Sequence, residues 1–284
     1  MPFAFAEICT LLSQLEEVEI QHPPLLSADK SERFRSLTDG WFKSHQRSIN
    51  TLSIEGATAL LSAFLPERRT DRVYGLQAQG LCRVLSRSLN LSTHRLRDLQ
   101  AYKQPGRGDL GVCLERVLRA GGPPALPAVT LDEVDELLVL LAGQCRFSDP
   151  SILRLPPGSS EVRDASLANM FRRVSPDEGR WLVRMILKDL GPVRIDERLI
   201  LKSYHFMLPD LLRFQQDFNA AVTLLKGPLK KYPERPDFRS ERLHFESANE
   251  KEVLRPAVGV KVGRPTFHKA RSICLLYTSD AADE

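Results

Sequence analysis

The chain has 284 residues, 42% hydrophobic, 27% charged and 7% aromatic, with a formal net charge of +4. These values suit a globular protein able to bury a core, and abundant leucine with few aromatics favours helices over an all-β architecture. They exclude a bilayer-spanning segment, because no apolar run approaches the roughly 20 residues that a membrane requires, and the modest basic excess permits a polyanionic partner without demanding one.

The N-terminus meets Glu7 early and lacks the basic start and apolar run of a secretory leader, so an intracellular, soluble protein is expected. Helical periodicity then dominates to about residue 225. Phe5, Ile8, Leu11, Leu12 and Leu15 form one apolar stripe, and Trp41 and Phe42 sit in a second helix starting near Asp29. A short apolar helix covers Ile54 to Phe64 and stops at Pro66; Val73, Leu76, Leu81, Val84 and Leu85 mark another. Leu114, Val117 and Leu118 follow the glycine-containing stretch Gly106 to Gly111. Leu131 to Leu141 is opened by Thr130 with Glu133 three residues on, a capping box in which each side chain satisfies a free backbone N–H. Ser175, Pro176 and Glu178 repeat that logic. Phe206 to Leu225 reads as one long final helix, ended by Gly227 and Pro228. After it, Lys226 to Asn249 is rich in Pro, Lys, Arg and Glu and reads as a linker with a weak helix at most. The alternation of Val258, Val260 and Val262 is the sequence's strand signal.

Cysteine and histidine patterns carry no chemistry. Cys9, Cys82, Cys113, Cys145 and Cys274 are scattered without zinc spacing and read as reduced thiols. His22, His45, His94, His205, His244 and His268 are dispersed as well, and His205 reads as a packed structural residue. The basic residues are more suggestive. Arg180, Arg184 and Lys188 fall four apart on a predicted helix, where they either lie along phosphates or form an ordinary solvated face. Gly106, Gly108 and Gly111 either let backbone amides approach phosphates, flanked by Lys103 and Arg107, or make a plain interhelical turn.

The stretch Glu178 to Pro228 resembles the N-terminal helical domain of eukaryotic ATP-dependent DNA ligases, most closely the DNA ligase IV branch. The residues that carry the likeness are Glu178, Trp181, Leu182, Arg184, Ile186 to Leu190, then Tyr204, His205, Pro209, Asp210 and Leu211, and the helix end at Val222–Pro228. Two earlier pieces agree in order: LPERRTDRVYGLQAQGL, residues 65–81, and GRGDLGVCLERVL, residues 106–118. The chain departs from the branch where Gly191 and Pro192 directly follow Lys188-Asp189-Leu190, and where residues are inserted between His205 and Pro209. The resemblance implies an all-α DNA-binding domain over residues 1–228, a linker at 229–253, and at 254–273 the start of an adenylation domain. It implies double-stranded or nicked DNA as partner, with repair accessory proteins, a nuclear location and a role in strand-break repair or end joining. For DNA contact it points to Lys103, Arg107, Gly108, Gly111, Arg180, Arg184 and Lys188. Lys261 and Arg264 either touch DNA or AMP-bearing surfaces, or sit on a solvated strand edge.

In that family a lysine in K-x-D-G takes AMP from ATP, and Mg²⁺ assists. No lysine of this chain stands in K-x-D-G, and Lys188-Asp189-Leu190-Gly191 has the Asp misplaced. No G-x-x-x-x-G-K-[ST] loop occurs. ATP and Mg²⁺ are therefore expected of the full-length parent and not of this chain, which is expected to be inactive alone. The final CLLYTSDAADE, residues 274–284, resembles the translation of a sequencing adapter, so the natural protein is expected to continue past Ile273. The alternative to the ligase reading is a non-catalytic helical module that binds DNA or protein.

Overall fold

The computed structural model describes residues 2–122, 128–153 and 160–250. Within them the fold is all helical, as expected, and one antiparallel bridge between Ala4 and Thr130 is the extent of β pairing. The first half comprises α1 (Phe5–Ile20), α2 (Ser27–Ser44), α3 (Gln46–Thr51), α4 (Ile54–Phe64), α5 (Ala78–Ser88), α6 (Thr93–Gln100) and α7 (Leu110–Arg119). The second comprises α8 (Leu131–Gly143), α9 (Pro150–Leu153), α10 (Ser160–Arg173), α11 (Pro176–Leu187), α12 (Glu197–Tyr204), α13 (Leu208–Gln215), α14 (Phe218–Lys226) and α15 (Phe238–Glu250).

Local chemistry sets the helix boundaries. Both predicted capping boxes form: the hydroxyls of Thr130 and Ser175 accept from the third backbone N–H, and Glu133 and Glu178 reach back to the cap. Asp109 and Asp217 cap α7 and α14 in the same sense. The stretch expected as one helix from Phe206 to Leu225 is two. Gln216 turns left-handed at φ 45° and Asp217 accepts from the N–H groups of Asn219 and Ala220, which starts a new helix where the old one would have run on.

The core runs continuously from α1 to α14. Residues Gly56 through Phe64 of α4 are all buried, so α4 is surrounded, while Trp41, Phe42 and Phe64 meet edge-on or tilted at 5.0–5.8 Å between ring centres. The stretch after Gly227 is packed as far as Ala248: Leu229, Tyr232 and Ala248 are buried, and Phe245 meets Phe206 at 5.1 Å. This part of the expected linker therefore carries a docked helix. Val258, Val260, Val262, Lys261, Arg264 and the 274–284 tail lie outside the described residues.

Candidate nucleic-acid interface

The Gly106–Gly111 turn is held from behind by α11. Helices α7 and α11 cross closely because glycines sit at the contact. A Cβ on Gly111 would lie 2.8 Å from the Arg180 carbonyl oxygen, and one on Gly179 would lie 2.5 Å from Leu118. Gly111 is buried and serves this crossing, not an approach to phosphate. Gly106 and Gly108 do the turning, at φ 77° and 88°. Asp109 then closes the turn by accepting from Val112 N–H at 2.9 Å.

The expected basic stripe on α11 points inward. Arg184 is 2% exposed; its Nε donates to Asp109 at 2.9 Å, its Nη2 reaches Glu16 at 2.8 Å, and its guanidinium lies 4.6 Å from the Trp181 ring centre. Burial opposes that charge, but Glu16 and Asp109 outweigh it and hold the Arg184 pKa above the ordinary arginine value. Arg180 is paired with Glu16, Glu115 and Asp177, and also donates to Ser13 Oγ, which accepts from Trp181 Nε1 as well. Lys188 adopts φ 54° at the end of α11, and its Nζ donates to the carbonyls of Arg69 and Arg72 at 2.5 and 2.6 Å. Burial lowers its pKa. The three cations tie α11 to α1, to α7 and to the 69–72 segment. They form neither a solvated face nor an accessible phosphate stripe.

The accessible basic face lies on the other side of α7. Between residues 83 and 119 the chain carries Arg83, Arg87, Arg95, Arg97, Lys103, Arg107, Arg116 and Arg119 against Asp98, Asp109 and Glu115. Helix α6 packs on α5 and α7, which gathers these residues into one region. Arg83, Arg97, Lys103 and Arg107 are exposed and, among the described residues, make no ion pair. Burial raises the pKa values of Tyr102 and Cys82, and the charges of Arg83 and Lys103 oppose it in part. Arg116 donates to the Arg107 carbonyl at 2.9 Å and stiffens the turn from the solvent side. Of the expected contact residues, Lys103, Arg107 and Gly108 are on this face. Arg83, Arg97, Arg116 and Arg119 were not anticipated; the signal was available in the run THRLR with Lys103 and Arg107 close behind.

The match to the DNA ligase N-terminus family covers residues 4–205. This chain belongs to that family. Over 218 residues it is 27% identical to DNA ligase 4 of Coprinopsis cinerea, covering 73% of this chain and 19% of that protein. It is 24% identical over 242 residues to DNA ligase 4 of Homo sapiens, and 24% over 243 to that of Pongo abelii; each match covers 79% of this chain and 24% of the relative. The chain is an N-terminal region of DNA ligase IV type, and it spans about a fifth to a quarter of the length of the curated relatives it matches. Among the described residues, no group of three His, Cys, Asp or Glu could hold a metal ion, and no helix is long and apolar enough to cross a membrane. No lysine of the chain stands in K-x-D-G.

Proposed function

We propose that this chain is the DNA-binding N-terminal region of an ATP-dependent DNA ligase acting in nuclear strand-break repair. The observation that supports the reading most is the unpaired basic face of α5, α6 and the 103–108 turn, joined to a family match over residues 4–205. Lys103, Arg107, Arg97 and Arg83 are the cations that meet phosphates. Gly108 shapes the turn that presents Arg107: its backbone is left-handed at φ 88°, and a Cβ there would meet Val112 at 2.9 Å. Arg180, Arg184 and Lys188 act one step removed: they hold α7 and the turn in place. Lys261 and Arg264 belong with the parent's downstream nucleotide-handling part. ATP, Mg²⁺, the nucleophilic lysine and the contacts to repair partners are properties of the parent ligase.

The test is fluorescence anisotropy of the full chain on nicked and intact duplexes of one sequence across a salt series, with a parallel incubation with radiolabelled ATP. Binding should weaken steeply with salt, favour the nicked duplex, and leave no AMP–lysine adduct. Salt-independent binding, or none, would move the chain to the protein-interaction module reading. An adduct would show that it holds a nucleophile of its own.

A further inference from the structure

A second charged region lies at the far end of the helix stack. Helix α6 packs on α7, α7 on α11, α11 on α1, α1 on α2 and α2 on α12, so α2 and α12 are separated from the basic turn by the two helices between. There α2, α12 and the segment leading into α15 enclose a cleft of about 430 Å³.

The charges in this cleft do not cancel. Its carboxylates are engaged internally: Asp196 caps α12, accepting from Arg198 N–H at 2.9 Å; Glu241 pairs with Lys202 at 2.8 Å; and Asp39 accepts from the Ser203 hydroxyl at 2.6 Å. Lys43 and Arg198 are exposed and, among the described residues, pair with no carboxylate. Arg235 donates through Nε and Nη2 to the Ser203 carbonyl at 3.0 and 2.6 Å, and its Nη1 is buried with no partner. The positive charge of Lys43 and Arg198 is thus left without an answering carboxylate among the described residues, which suits an anionic oxygen acceptor. Leu199, Phe206 and Pro236 contribute apolar surface to the lining.

We propose that this cleft binds an anionic side chain, phosphoserine or carboxylate, presented by an acidic peptide segment of a partner protein. Its size suits one such side chain with its neighbours and not a duplex, and its apolar lining residues suit an adjacent aliphatic residue. The carboxylates within it can take peptide N–H or hydroxyl donors, whereas a continuous phosphate backbone would meet them as like charges. Lys43 and Arg198 supply the charge that meets the anion, and Arg235 in the cleft lining adds to the positive field.

The test is anisotropy of the full chain with three fluorescein-labelled 12-residue acidic peptides that differ at one central position beside a leucine: phosphoserine, glutamate or serine. The phosphoserine and glutamate peptides should bind at least 10-fold more tightly than the serine peptide. The double variant Lys43→Glu, Arg198→Glu changes two exposed side chains; with an unchanged circular dichroism spectrum it should lose that preference and keep its affinity for nicked duplex. Equal binding of the three peptides would overturn the proposal. So would a preference that survives the double variant but disappears in Arg97→Glu, Lys103→Glu, since the peptide would then be reading the α5–α7 face.

Discussion

Arg184 on α11 and Arg97 on α6 carry the same group into opposite settings. Arg184 is sealed between α1 and α7, with Glu16 and Asp109 on its guanidinium, while Arg97 is exposed and, among the described residues, makes no ion pair. A buried cation cannot serve a polyanion, because its lone pairs of choice are already supplied from within and its removal leaves two carboxylates stranded. An unpaired exposed cation adds nothing to the fold but keeps its full charge for a partner. The side of α7 that faces α11 is therefore structural, and the solvent side is the one that the proposed DNA contact would use.

The comparison breaks first on Arg184. Arg184→Ala should cost about 3–5 kcal/mol, the range for breaking one side of a buried pair, and a urea melt followed by circular dichroism reads it directly. Arg97→Ala should move the same midpoint by no more than about 0.5 kcal/mol. Equal, small effects would mean that α11 is not the seam described.

His205 sharpens the comparison from the other direction, being buried where the α11 arginines are buried but with too little counter-charge to stay ionised. Burial pushes its pKa down to about 4, with nearby Glu234 only partly opposing, and its Nδ1 accepts from Met207 N–H. The unfolded chain takes up this proton near pH 6.5 and the folded chain resists until about pH 4. Its contribution is thus complete above pH 6.5 and lost progressively down to pH 4, about 3 kcal/mol in all by linkage. Urea midpoints at pH 7.5 and 5.0 should differ, and His205→Gln should shrink the difference.

The helix crossing gives a smaller effect. Gly111→Ala meets the Arg180 backbone oxygen, which cannot rotate away, and should cost about 1–3 kcal/mol. Gly179→Ala meets only the end of the partly exposed Leu118 side chain and should cost less. The reverse ranking in thermal melts would contradict the crossing geometry.

Much of the fold was legible because its signals are local. Thr130-Glu133 and Ser175-Glu178 announce helix starts whatever surrounds them, and the Ile54–Phe64 helix is stopped by its own Pro66. The break at Gln216 was not legible, because a left-handed residue followed by an Asp cap looks like two ordinary polar residues in a helical pattern. The packing of residues 229–250 was hidden by their charge: Leu229, Tyr232 and Ala248 are few, and only their neighbours show them to be buried. The α11 stripe misled for a reason the sequence does contain. From Trp181 to Ile186 Arg184 is the one polar residue, and a helix apolar on all sides has no solvated face to offer.

The most direct measurement is the salt dependence of nicked-duplex affinity for the triple variant Arg97→Glu, Lys103→Glu, Arg107→Glu against the unmodified chain, both checked for an unchanged thermal midpoint. If this face neutralises phosphates, affinity should fall at least 10-fold and the slope of log affinity against log salt should shrink by about 3, close to 0.9 per lost contact. An unchanged slope with the fold intact would contradict the account and place DNA binding elsewhere on the molecule.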